Sequence, residues 1–351
     1  MYRIKQLPED FIVKEISQHH LQEQGKYLYF RLQKIDQNTL DVIKRLAKVL
    51  GLKDKEIGFA GSKDKKAVTE QLCSIPSRYR ERLLGISWPL VTLTPAGYSN
   101  QPLTLGDLEG NYFEIVVRNL DTIPLEKIKF IPNYFDEQRF GLDNEKVGRL
   151  LVQKRFLEAT AIVHKEEVKK YLQNYPQDAV GALKILPRRL LRMYVNAYQS
   201  YLWNKTAAEY FQQFSTEVQE VPYLLGTFIF PDHDAPFRTV QIPMLGFNTE
   251  PSAMTPELRL MINRIMEEEH LSTHDFIIKQ IPELTLEGGS RSILAEVKDF
   301  SIGRAEPDEL HPGKQKVKLV FSLGKGSYAT MVIRRWFVNG TAHQSLIDQN
   351  Q

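Results

Sequence analysis

Apolar residues alternate strictly near both ends of this chain and give way to helical periodicity between them, which limits the fold more than any other feature. Near the C-terminus, Val317, Leu319, Phe321 and Leu323 recur at every second position, the period of a strand with one buried face. Nearer the N-terminus, Tyr27 to Gln33 alternates likewise, and Phe113, Ile115 and Val117 share a face. Residues 189–211 and 256–269 instead repeat with the period of a helix. A sheet assembled from both termini, with a largely helical segment inserted, follows from that order. The expectation is an α+β protein with one domain of residues 1–155 plus 305–351 and a second of 156–304. A length of 351 residues suits two cores.

The charge balance, 46 Lys and Arg against 43 Asp and Glu, is too mild to name a partner, so its distribution must do so. One cysteine, Cys73, excludes an intramolecular disulfide and a cysteine zinc cluster. Met1-Tyr2-Arg3-Ile4-Lys5-Gln6 contains no apolar signal core, and no apolar run approaches a membrane span. A cytoplasmic protein without membrane attachment is expected. There is no P-loop and no GxGxxG. Asp232-His233-Asp234 offers metal-type donors, but three adjacent residues rarely face one ion. A polar loop between Pro231 and Pro236 is expected there, and no metal.

Several local elements can be placed. Asn38 to Leu50 reads as an amphipathic helix capped by Asn38 or Thr39 and ended by Gly51. Residues 57–75 read as strand, exposed glycine-bounded loop and strand. Leu103 to Leu105 and Tyr112 to Val117 suggest a hairpin about Glu109-Gly110-Asn111. Asp143 to Phe156 suggests one helix, and Ser327 to Phe337 a strand or a short helix.

The loop at Gly61-Ser62-Lys63-Asp64-Lys65-Lys66 holds the residue most suited to chemistry. Three ammonium groups beside one carboxylate favour its ionised form, and an ionised, positioned aspartate is a nucleophile or general base. The lysines would also attract a phosphate backbone. Taken alone, such a string is more often a solvated surface loop, and surface pairs of this kind contribute little.

Longer matches separate these readings. The fourteen residues from Gly58 to Gln71 (GFAGSKDKKAVTEQ) resemble the signature segment of the TruD family of tRNA pseudouridine synthases. Pro8 to Glu15 (PEDFIVKE) is similar to that family's N-terminal segment. Asn133 to Gly141 (NYFDEQRFG) is similar to its NYFGxQRFG motif, with Asp136 where glycine is usual. The helix around Ala197-Tyr198-Gln199-Ser200 and Gly326-Ser327-Tyr328-Ala329-Thr330 complete the set in the family's order. The resemblance spans residues 8 to about 335.

That resemblance implies a pseudouridine-synthase-type mixed or antiparallel sheet as catalytic domain, with an inserted, largely helical TRUD domain. It implies Asp64 as the catalytic residue and Phe11, Asn133 and Tyr328 as substrate contacts. Phe11 and Tyr328 are equally candidates for core aromatics, and Asn133, after Pro132, for a turn. Lys63 either tunes Asp64 or meets RNA. Lys65, Lys66 and Arg139 are weaker RNA candidates, Arg139 competing with an ion pair to Asp136 or Glu137. Arg188, Arg189 and Arg192 open the long helix and suit a phosphate track. Tyr194, Tyr198 and Tyr201 at i, i+4 and i+7 read as a packed face.

The implied reaction isomerises uridine to pseudouridine in tRNA, at uridine 13 of the D arm. It needs no cofactor, and a monomer is expected. Asp64 would either attack C1′ or remove the 2′ proton. A synthase for another RNA site and a non-catalytic RNA-binding or RNA-folding protein are the alternatives.

Overall fold

The structure is a computed structural model in which residues 2–250, 252 and 254–340 are described; the remainder of the C-terminal tail, His343 included, lies outside them. The chain divides into two compact units, one running to Lys129 and resuming at Glu296, the other Phe130–Ala295.

The first unit opens with β1 (Phe11–Ile16), β2 (Tyr27–Ile35), α1 (Thr39–Leu50), β3 (Gly58–Phe59), β4 (Val68–Pro76), α2 (Arg80–Leu84), β5 (Val91–Ser99) and β6 (Gly110–Leu120). In the second unit follow β7 (Phe130–Pro132), α3 (Asn144–Val152), α4 (Phe156–Ile162), α5 (Glu166–Asn174), α6 (Ala179–Lys184), α7 (Arg188–Phe214), β8 (Val218–Tyr223), β9 (Gly226–Pro231), β10 (Gln241–Met244), α8 (Pro256–Glu268) and β11 (Gly289–Ser292). The chain returns through β12 (Leu294–Ile302), β13 (Glu306–Pro307), β14 (Gln315–Gly324) and α9 (Ala329–Gly340).

The strands of the first unit form one sheet in the order β5-β2-β4-β1-β6-β14-β12, with β3 against β4 and β13 against β14. The pair β1–β4 is parallel, through Ile12 opposite Val68. The pairs β1–β6, β6–β14, β2–β4 and β2–β5 are antiparallel, so the sheet is mixed and the protein α+β. Register aligns Phe11 with Ile115, Val13 with Phe113, and Phe113 with Phe321. The alternations read from both ends of the chain therefore line one face. Leu28, Phe30 and Leu32 of β2 pack with Val42, Ile43, Leu46 and Leu50 of α1, which lies on that face. Asn38 Oδ1 accepts from Leu40 N at 2.9 Å to start α1, and Gly51, at φ 73°, ends it.

Three local expectations are resolved or corrected. The segment 327–337 is helical from Ala329 onward, with Met331, Val332, Ile333 and Trp336 fully buried in α9. The expected hairpin at Glu109–Asn111 is absent. Gly110 instead begins a strand held on both sides, opposite Ile16 and Gly324. Leu103 N is taken by Ser74 Oγ at 2.9 Å, and Leu105 is 77% exposed, so that run cannot join a ladder. The helix expected over 143–156 breaks between α3 and α4, where Lys154 turns to φ 62°. Gly58 is required by space: a Cβ there would lie 2.2 Å from Leu103 O.

The chain crosses between units at Lys129–Phe130 and Ala295–Glu296, against about 155 and 305 read from where strand-like patterning gives way to helical. Residues 130–143 hold no α-helix and so look like the strand-rich part. They nonetheless pack with α7, where Asn204 accepts from Phe135 N at 2.9 Å and donates to Phe135 O at 2.8 Å.

Arg118, on β6, ties the two ends of the first unit together. Its guanidinium meets Asp10 at 2.9 Å, Asp308 at 2.9 Å and Glu309 at 3.0 Å, and only Glu309 is exposed. Removing one partner of a buried cluster strands the remaining charges. Arg118→Met is expected to lower unfolding stability by about 3–5 kcal/mol, measured by urea denaturation. A loss below about 1 kcal/mol, the size of a surface pair, would show the link to be superficial.

Candidate active site

Asp64 lies in the loop between β3 and β4, and the fold restrains that loop from several sides. Lys63 N donates to Thr39 Oγ1 at 3.1 Å, and Gln71 Nε2 donates to Gly61 O at 2.9 Å. Ala60 and Ala67, at its ends, are buried. The loop is therefore a seated segment, more ordered than the solvated loop its charges suggest.

The cation at the Asp64 carboxylate comes from far away in sequence. Lys5 Nζ lies 2.7 Å from Asp64 Oδ2, across 59 positions, with both side chains about a quarter exposed or less. Lys5 has φ 55°, a conformation uncommon for residues other than glycine and enriched at functional sites. Its ammonium also stands 4.1 Å from the centroid of the Phe11 ring. Phe11 is buried, with Phe113 edge-on at 6.2 Å. One lysine thus connects the carboxylate to an aromatic residue of the N-terminal segment.

The neighbouring lysines do other work. The Lys63 side chain is 7% exposed; its ammonium pairs with Glu15 at 2.9 Å and donates to Asn111 Oδ1 at 2.7 Å. Glu15 and Asn111 are opposite each other on β1 and β6, so Lys63 pins the loop to a rung of the sheet. Successive residues of an extended loop point to different sides, which is why three adjacent lysines do not converge on one carboxylate. Lys65 and Lys66 are exposed. Lys34, fully buried on β2, donates from Nζ to the Asp64 carbonyl at 2.7 Å. Burial pushes its pKa down to about 8, against the opposing pull of Asp64.

Tyr328 is half-buried in the turn leading from β14 into α9. That turn adjoins the same rung: Leu323 lies opposite Asn111, and Lys325 N donates to Glu109 O at 2.9 Å. Lys325 Nζ reaches Gly106 O at 3.2 Å, and Gly106 N donates to Ala60 O at 2.8 Å. The turn bearing Tyr328 and the loop bearing Asp64 are thereby joined by a chain of hydrogen bonds in which the Lys325 side chain is one link.

Asn133, Arg139, Arg188, Arg189 and Arg192 belong to the second unit. Asn133 is buried, donates to Ser292 O at 3.1 Å, and accepts from Arg291 at 2.7 Å. The Arg291 guanidinium stands 4.2 Å from the Phe135 ring and 5.3 Å from Trp203. Arg139 donates from Nε to Ser200 Oγ at 3.1 Å, so the NYFDEQRFG segment is read by Ser200 and Asn204 of α7. Arg188, Arg189 and Arg192 are exposed, and Arg188 lies 3.3 Å from Glu283. Tyr194 and Tyr198 pack inward as a face, and Tyr198 donates to Glu269 at 2.9 Å. His233 is 78% exposed beside Asp232, and among the described residues no three His, Cys, Asp or Glu side chains are grouped for a metal. Among those residues, too, no helix is long and apolar enough to cross a membrane.

Sequence reading missed Lys5, Lys34, Glu15, Asn111 and Arg291. Lys34 and Glu15 did leave a signal. Each continues an inward-facing alternation, Leu28-Phe30-Leu32-Lys34 and Phe11-Val13-Glu15, with a charge where an apolar residue belongs. Lys5 and Arg291 left none.

The chain is similar to known proteins along most of its length. The family described as tRNA pseudouridine synthase D (TruD) matches residues 2–170, 162–222 and 233–336. A Methanococcus maripaludis protein named Probable tRNA pseudouridine synthase D 1 is 31% identical, over 95% of this chain and 99% of the relative. The tRNA pseudouridine synthase D of Aquifex aeolicus is 30% identical, over 95% and 98% respectively. A crystal structure of a Methanosarcina mazei protein assigned to TruD superposes with a TM-score of 0.68 at 28% identity, covering 95% of this chain and 93% of that one.

Proposed function

The chain belongs to the tRNA pseudouridine synthase D (TruD) family, and on that premise we propose that it isomerises uridine to pseudouridine at position 13 of tRNA, in the D arm, with Asp64 as the catalytic group. The observation that carries this reading is the Lys5 bridge, which sets a carboxylate 2.7 Å from an ammonium and that ammonium 4.1 Å from an aromatic ring.

The reaction breaks N1–C1′, turns the uracil and closes C5–C1′. A carboxylate at the sugar serves either route, by attack on C1′ or by removal of the 2′ proton. The base must first leave its stack, at a cost of a few kcal/mol. Stacking in a pocket returns about 1–3 kcal/mol per base; we assign that role to Phe11 and Tyr328. Asn133 is assigned to substrate recognition through its motif. The exposed Lys65, Lys66, Arg188, Arg189 and Arg192 supply cations for phosphates, which attract without reading sequence; Arg139 is the least accessible of this group. A requirement for the 2′-hydroxyl would favour RNA over DNA.

The test is to incubate the protein with unmodified tRNA transcripts and map pseudouridine along them. A single new pseudouridine at position 13 is the expected result. Modification solely elsewhere would overturn the position and favour a synthase for another site. No modification of any transcript that the protein binds would leave an RNA-binding protein.

A further inference from the structure

We propose that Lys34 is a positioning residue which, together with Thr39, fixes the main chain of Asp64 and so aims its carboxylate; the inference rests on the reading of Asp64 as the catalytic group. The direction in which a side chain leaves the backbone follows from the two peptide planes flanking its Cα, because only φ and ψ are soft. At Asp64 both planes are held. The Lys63 carbonyl lies 3.3 Å from Thr39 Oγ1, whose oxygen also receives Lys63 N–H at 3.1 Å. The Asp64 carbonyl accepts from Lys34 Nζ at 2.7 Å. With φ and ψ fixed, only the side-chain torsions remain, and Lys5 engages Oδ2 at 2.7 Å to settle those.

The surroundings of Lys34 argue that this contact is its purpose. The side chain occupies the inward position after Leu28, Phe30 and Leu32, opposite Thr69 of β4 and Val91 of β5. It is fully buried in a place where a methionine would fill the same space without bringing a charge out of water. The charged groups that act on it are Asp64, Lys63 and Asp36. A buried ammonium left with no task would be a liability; here it donates to a loop carbonyl.

Lys34→Met removes the donor and keeps the stem. The expected result is a single-turnover rate on tRNA about 10- to 100-fold below wild type, the scale of a catalytic group misplaced by about 1 Å. The dissociation constant for tRNA should stay within about twofold, because the lysine is buried away from any phosphate. The melting temperature should hold or rise, since a buried charge has been removed. Thr39→Val should act the same way from the other plane, and the double variant should lose less than the product of the two. A Lys34→Met rate equal to wild type, or a rate loss that merely follows a fall in melting temperature, overturns the inference. If Lys34→Met fails to fold, Thr39→Val decides by the same criteria. Wild-type protein that turns over no tRNA would sink the functional reading and this inference together. Active wild type beside an equally active Lys34→Met would sink this inference alone.

Discussion

Asp64→Asn is expected to stop release of hydrogen from uridine C5 in tRNA while binding of that tRNA persists. The substitution is nearly isosteric, and an amide oxygen can still accept from Lys5, which lies 2.7 Å from Oδ2. The Asp64 carbonyl contact to Lys34 and the seat of Lys63 on Glu15 and Asn111 involve no atom that changes. What disappears is one negative charge, and both routes proposed for Asp64 depend on it. Removal of a central catalytic group costs about 10⁴-fold or more in rate. Tritium release from C5-labelled tRNA, with filter binding on the same samples, measures both halves. Release at the wild-type rate by the variant would refute the catalytic assignment. Loss of binding in step with rate would make Asp64 a structural residue.

Lys5→Met should have the next largest effect, about 10²- to 10³-fold on the rate of the chemical step, the range found when one preorganised hydrogen-bond donor is removed from an active site. Lys5 is the cation that the structure places on the carboxylate, and it does so from a left-handed backbone conformation. Methionine keeps the length of the stem and its contact with Phe11 while deleting the charge. Affinity for tRNA should change little, because the ammonium is already occupied by Asp64 and lies against Phe11. Single-turnover kinetics at saturating enzyme separates the two quantities. A variant within about twofold of wild type in rate, well short of the donor effect, would mean that the pair is incidental. A weakened Kd with unchanged rate would reassign Lys5 to phosphate binding.

The mixed sheet was legible because its buried face repeats at every second residue on β2, β6 and β14. The signal failed where a strand is defined by its neighbours. Gly110 looks like a turn residue and is a strand residue, because β1 and β14 flank it. The unit crossing near residue 130 was hidden because residues 130–143 owe their placement to Asn204 and Ser200, some sixty positions later. Asp64 was readable as a carboxylate in a basic loop, but its surroundings were not. Local sequence offered Lys63, Lys65 and Lys66, whereas the folded chain uses Lys5 and Lys34, brought close by the parallel pairing of β1 with β4 and the antiparallel pairing of β2 with β4.

The Arg118 cluster sets an order of events during synthesis. Asp10 leaves the ribosome long before Asp308, which comes only after the whole of Phe130–Ala295. Until then β6 lacks its β14 neighbour and presents an open edge, a template for pairing with the wrong chain. The contiguous insert can mature while the split unit waits, since domains fold as units when their residues are available. Translation that stalls between the end of the insert at Ala295 and the start of β14 at Gln315 would therefore leave a polypeptide whose inserted part is finished and whose flanking sheet is sticky.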